Sequence, residues 1–136
     1  MAALQPKHTS VKLGYWGIRG LAQVPRLLLA YSGVEFEDVL YTERGAWFDQ
    51  DKKSLGLNFP NIPYLLDGDF NLTESAAIQR YIIKKWGKNE LLGKDIKDNA
   101  QIESLISIIG EIAGGVKGLF WNKEHETARV GVLEKF

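Results

Sequence analysis

The stretch VKLGYWGIRGLAQVPRLLLAY, Val11 to Tyr31, decides the fold. Val11 to Trp16 reads as a buried strand, and Leu21, Val24, Leu28 and Tyr31 then recur at helical spacing. A Gly-containing turn joins the two. Pro25 removes one backbone donor, so it must bend the helix or sit in its first turns. Ser32-Gly33 is a stop signal. Phe36 to Tyr41 alternates, with Phe36, Asp38 and Leu40 on one side and Glu37, Val39 and Tyr41 on the other. A helix between two strands makes them parallel neighbours. Two large aromatics, Tyr15 and Trp16, stand at the strand–helix turn. From these two residues alone, packing and chemistry are both open.

Further along, Thr42 to Asn58 is polar and irregular, with a short helix expected from Trp47 to Ser54. Ile62 to Leu66 reads as a third strand. Asp67-Gly68 reads as a hairpin turn, so that Phe70 to Leu72 returns antiparallel. Thr73 and Ser75 are candidate caps for a helix marked by Ile78, Tyr81, Ile82 and Trp86. The order predicts an α/β unit, a mixed four-stranded sheet with helices on its faces. Residues 1–10 read as a disordered leader, 11–87 as this unit and 88–95 as a linker. Residues 96–136 read as the start of an all-helical domain that the chain leaves incomplete. There Ile102, Leu105, Ile106, Ile109, Ile112, Val116 and Leu119 keep helical spacing, and a second helix is expected near Glu124.

Composition narrows the function classes. In 136 residues, 17 basic side chains balance 17 acidic ones, which argues against a nucleic-acid binder. The absence of cysteine removes disulfides, cysteine metal sites and a cysteine nucleophile. His8 and His125 are far apart in sequence, so no metal is expected. Residues 1–10 lack the apolar core of a signal peptide, and no apolar run approaches the ~20 residues that span a bilayer. No membrane partner is expected, and the default compartment is the cytosol.

Two long motifs, LGYWGIRGLAQVPRLLLAY and LGLNFPNIPYLLDGDFNLTESAAIQRYI, resemble the cytosolic glutathione transferases, the mu class in particular. The resemblance runs from about Val11 to Glu126. It implies a thioredoxin-like first domain, glutathione as co-substrate, and an electrophilic small molecule as second substrate. It also implies a homodimer. By this resemblance Tyr15 is catalytic, giving its hydroxyl to the glutathione sulfur. A free thiol is mostly protonated at neutral pH, and the nucleophile is the thiolate, so a donor at that point has a chemical purpose.

The same resemblance assigns the glutathione contacts. Trp16 touches the tripeptide and Leu21 lines the pocket. Arg44, Trp47 and either Lys52 or Lys53 hold the glycyl carboxylate. Asn61, Ile62 and Pro63 form a cis-proline edge for the cysteinyl backbone. Glu74 and Ser75 receive the γ-glutamyl end. Glu111 reaches the partner subunit's glutathione, Trp121 borders the electrophile pocket, and Phe59 inserts into the second subunit. The chain departs from the family at Gly17, where a side chain is usual, and at Glu74-Ser75, where Gln-Ser is usual. The alternatives are a non-catalytic binding or structural protein on this fold, or an inactive piece of a transferase.

Overall fold

The computed structural model describes residues 10–121, with side chains to residue 118. The chain forms two compact units, one ending at Asn89 and the other starting at Glu90. The first contains strand β1 (Val11–Trp16), helix α1 (Gln23–Tyr31) and strand β2 (Glu37–Tyr41). A π-helical stretch (Ala46–Asp51) runs into the short α2 (Lys52–Ser54), followed by β3 (Tyr64–Asp67), β4 (Phe70–Thr73) and α3 (Ser75–Lys85). The sheet order is β2-β1-β3-β4. β1 and β2 are parallel, while β3 is antiparallel to both β1 and β4.

Alternation along β1 sends Leu13 and Tyr15 to one face and Gly14 to the other. Leu13 pairs with Leu65, and both are fully buried with Leu29, Ile78 and Ile82. Full burial of each such side chain stabilises by about 1.5–3 kcal/mol. On the opposite face Gly14 pairs with Tyr64, and a Cβ at residue 14 would come within 2.6 Å of the Tyr64 hydroxyl and closer to its ring. Glycine there makes room for an aromatic cluster. Trp47 stacks on Tyr64 with ring centres 6.0 Å apart, and Tyr41 meets both rings edge-on. Tyr41 gives its hydroxyl proton to Asp51 at 2.5 Å, and its oxygen lies 2.9 Å from that of Tyr64.

Several local expectations shift. α1 buries Ala22 at its N-cap, Pro25 and Leu29; of the Leu21, Val24, Leu28 and Tyr31 stripe that periodicity selects, Leu28 packs partly buried against the core and the other three are exposed. The helix is apolar around much of its girth, so periodicity alone does not choose the face that meets the sheet. Pro25 sits in the first turn, where its missing donor has no helical partner to lose. α1 ends as expected, with Gly33 at φ +68 and paired bonds from Gly33 N to Ala30 O and Val34 N to Leu29 O. The hairpin loop is Gly68-Asp69, one residue later than expected, because Asp67 still pairs with Phe70. Neither Thr73 nor Ser75 caps α3. The cap position is Glu74, at φ +72, and its side chain makes no capping bond.

The second unit holds α4 (Ile96–Trp121). Asp95 caps it, its side chain accepting from the amides of Lys97 and Asp98 at 2.8 and 3.0 Å. Leu105, Ile109 and Ile112 are exposed. The helix expected near Glu124, and both histidines, lie outside the described residues. No helix among the described residues is long and apolar enough to cross a membrane.

Candidate functional site: the turn after the first strand

Tyr15 is the last residue but one of β1, with its ring buried, 6% exposed. Among the described residues its hydroxyl has no hydrogen-bond partner. Among the described residues the buried side-chain atoms without a partner are Arg26 Nη2 and Ser32 Oγ, so the Tyr15 oxygen keeps access to the surface. The turn over it is tightly tied. Gly17 N donates to Tyr41 O at 3.0 Å, extending the ladder, and Ile18 N donates to Trp16 O at 2.6 Å. Gly20 follows at φ +38, and a Cβ there would lie 2.8 Å from the Tyr15 hydroxyl oxygen. Backbone without a side chain is what allows the phenol to sit beneath it. The N-terminus of α1 begins three residues later, and its field favours negative charge.

Beside this turn, half-buried Trp16 packs against Phe48 at 6.0 Å. Arg44 and Lys52 both lie over the Phe48 ring, at 5.2 and 5.5 Å. A groove of about 580 Å³ is lined by Phe48, Lys52, Lys53, Gly56, Leu57 and Pro60. Both lysines therefore face the same space. Trp47 does not share it as a wall: its ring belongs to the core, 2% exposed. The exposed aromatic of the segment is Phe48, which sequence reasoning missed. Its signal was available, since an aromatic beside a core aromatic in a tight helix cannot share its face.

The Ile62–Pro63 peptide is cis. The Ile62 amide donates to Asn61 Oδ1 at 3.0 Å, so a peptide backbone adding to this edge meets an amide already paired to a neighbouring side chain. Asn61 Nδ2 in turn reaches Glu74 Oε1 at 3.4 Å. Glu74 is exposed and holds its positive φ directly before α3, a conformation costing a non-glycine residue about 1–3 kcal/mol. Ser75 is the first residue of α3, where backbone amides lack helical partners. Thus Asn61, Ile62, Pro63, Glu74 and Ser75 stand together at the head of β3 and α3.

Leu21 is exposed in a 3₁₀ turn (Gly20–Ala22) between Tyr15 and α1. Phe59 is 76% exposed beside a smaller groove of about 310 Å³ that Glu74 also borders. Glu111 is exposed on α4, and the Trp121 side chain lies outside the described residues.

A cis-proline at the head of β3, facing a β-α-β unit and followed by a hairpin and a helix, defines a thioredoxin-like domain. A family model described as the glutathione S-transferase N-terminal domain matches residues 11–84, and the chain belongs to that family. It is 46% identical over 125 residues to the class-mu 26 kDa glutathione S-transferase isozyme of Schistosoma mansoni, covering 91% of this chain and 63% of that one. The chain thus spans less than two thirds of that relative's length. Among solved structures, the glutathione S-transferase Blo t 8 is 32% identical, with a TM-score of 0.80 over 91% of this chain and 58% of that one. A monomeric glutathione S-transferase of the hookworm Necator americanus is 26% identical, with a TM-score of 0.71 over 87% and 57%.

Proposed function

We propose that the chain binds glutathione on its first unit and keeps the thiol ionised for attack on an electrophile. One observation carries this reading: the Tyr15 hydroxyl, unpartnered among the described residues and open to the surface, on an otherwise buried ring. A packing tyrosine in this unit looks different, since Tyr64 has its oxygen paired. Tyr15 stays protonated and donates to the thiolate, while the thiol proton leaves to solvent. The sulfur lone pair then forms the S–C bond as the leaving group, or the displaced π pair, takes the charge. A hydrogen bond to the charged form lowers the thiol pKa, and two units correspond to only ~2.7 kcal/mol.

The rest of the tripeptide has complementary groups elsewhere on the first unit. Arg44, Lys52 and Lys53 offer positive charge to the glycyl carboxylate, with Trp16 and Phe48 as the wall between. Asn61, Ile62 and Pro63 offer a backbone edge to the cysteinyl residue once Asn61 releases the Ile62 amide. Glu74 suits the γ-glutamyl amine, and Ser75 with the α3 amides suits its carboxylate. Leu21 lines the glutathione pocket. Glu111, Trp121 and Phe59 belong to a fuller assembly: a partner subunit's glutathione, the electrophile pocket and a homodimer contact. Residues 11–87 form the glutathione domain, 88–95 the linker and 96–136 part of a helical domain, in a protein of the cytosol.

The test is Tyr15→Phe. Losing a charge-assisted hydrogen bond worth roughly 1.5–3 kcal/mol lowers conjugation of a dinitrohalobenzene by roughly 10- to 100-fold. Glutathione binding, followed by calorimetry, stays within a few-fold. Turnover equal to that of the unaltered chain removes Tyr15 from the chemistry.

A further inference from the structure

Arg26, on α1, contacts both β2 and the turn after β1. Its Nε donates to both carboxylate oxygens of Asp38, at 3.1 and 2.9 Å. Its Nη1 donates to the Ile18 carbonyl at 2.9 Å and reaches the Arg19 carbonyl at 3.4 Å. Asp38 lies on β2, opposite Leu13 of β1. One side chain therefore ties the helix, the edge strand and the turn to each other. The Arg26 side chain is 15% exposed and that of Asp38 33%.

The turn it grips is the one above Tyr15. The Arg19 carbonyl belongs to the same planar peptide as the Gly20 nitrogen. Whatever fixes that plane fixes the height of Gly20 over the phenol, where even one added carbon would stand 2.8 Å from the hydroxyl oxygen. Gly20 has no side chain to hold it and carries a positive φ; its carbonyl is held by the Gln23 amide, and its nitrogen side by what fixes the Arg19 carbonyl. The guanidinium fork does this, and Asp38 sets the fork.

We infer that Arg26, locked by Asp38, is a positioning residue for the Tyr15 hydroxyl: by holding the Arg19–Gly20 peptide it sets the gap in which that hydroxyl meets a thiolate. This rests on the reading of Tyr15 as the donor to glutathione. A tie serving stability alone predicts a lower unfolding midpoint and unchanged chemistry. A remote charge acting on the thiolate predicts that lysine replaces arginine fully. Positioning predicts neither, because a lysine ammonium is one compact donor centre and does not reproduce the fixed spacing of Nε, which holds Asp38, and Nη1, which holds the two carbonyls.

The experiment reads the thiolate absorbance of bound glutathione against pH, with steady-state conjugation. It uses the whole chain and its Tyr15→Phe, Arg26→Gln, Arg26→Lys and Asp38→Asn variants. For Arg26→Gln the bound thiol pKa rises by about one unit and kcat near neutral pH falls on the order of tenfold, with KM for glutathione within about twofold. Arg26→Lys resembles Arg26→Gln, and Asp38→Asn moves the same way by less. Asp38→Asn keeps the guanidinium and carries the test if Arg26→Gln does not fold. Unaltered thiol pKa and kcat in the folded variants overturn the inference, as does full rescue by lysine. No thiolate signal in the unaltered chain overturns the glutathione reading and the inference together. A signal that Tyr15→Phe abolishes and Arg26→Gln leaves alone overturns the inference only.

Discussion

Tyr15 and Tyr64 are set against glycines on opposite faces of one sheet, and the two pairs differ in what the hydroxyl meets. Tyr64 faces Gly14 across β1 and β3, with its ring stacked on Trp47 and its oxygen 2.9 Å from that of Tyr41. Tyr15 lies under Gly20 with its oxygen unpaired among the described residues and open to the surface. Both rings are buried. Burial therefore does not separate a structural tyrosine from a chemical one; the fate of the hydroxyl does. A buried polar group is normally satisfied from within, so an exposed unpaired oxygen on a buried ring points outward to a ligand.

Substitution at the two glycines separates the roles, and the larger effect falls on the structural pair. Gly14→Ala drives a methyl into Tyr64, which cannot tip aside without unstacking Trp47 and losing Tyr41. Overpacking with a lost hydrogen bond costs about 2–4 kcal/mol, read by denaturant unfolding. Gly14→Ala combined with Tyr64→Leu regains part of that loss, because the ring end is gone. If Gly14→Ala unfolds like the unaltered chain, the closeness of this pair is not what the fold depends on.

Gly20→Ala comes next. It places a Cβ against the Tyr15 hydroxyl at a residue with φ +38, so the loss appears in kcat before it appears in stability. Conjugation falls on the order of 10- to 100-fold, while unfolding free energy drops by about 1–2 kcal/mol. An alanine variant equally active in conjugation removes Gly20 from the site.

How much of this was readable in the sequence depends on whether the controlling contact is local. β1, α1 with its Ser32-Gly33 stop, and the crossover to β2 follow from periodicity and one glycine. The hairpin was readable to within one residue, since DGD offers glycine to two adjacent registers and only pairing with β4 chooses. The α3 cap was missed because Glu74 holds a positive φ with Asn61 beside it, against its own preference. Trp47 was assigned to the site and Phe48 overlooked. The π-helical turn fixes which aromatic faces Tyr64, and periodicity at 3.6 residues does not describe it. Arg26 left half a trace: Asp38 alternates with Phe36 and Leu40, an acid in apolar company. Its partner twelve residues earlier appears only when helix and strand are brought together.

The smallest effect belongs to Tyr64→Phe, which tests the comparison most finely. It keeps the ring, its stacking on Trp47 and the space over Gly14, and deletes only the bond to Tyr41. Tyr41 still has Asp51, so the loss is about 1 kcal/mol. Burial first, then the hydrogen bond to Asp51, pushes the Tyr41 phenol far above its ordinary range. Burial raises Tyr64 as well, against a lowering by its bond to Tyr41. Above the ordinary phenol pKa of 10.0 the unfolded chain releases protons that the folded chain keeps. Stability is then complete below about pH 10 and declines as pH rises past it. Tyr64→Phe removes one of the three raised phenols, Tyr41, Tyr64 and Tyr81, so its stability falls less steeply between about pH 10 and 11 than that of the unaltered chain. Its conjugation rate at neutral pH stays within about twofold. A rate lowered as far as in Tyr15→Phe would place both tyrosines in the chemistry and end the distinction between the two faces.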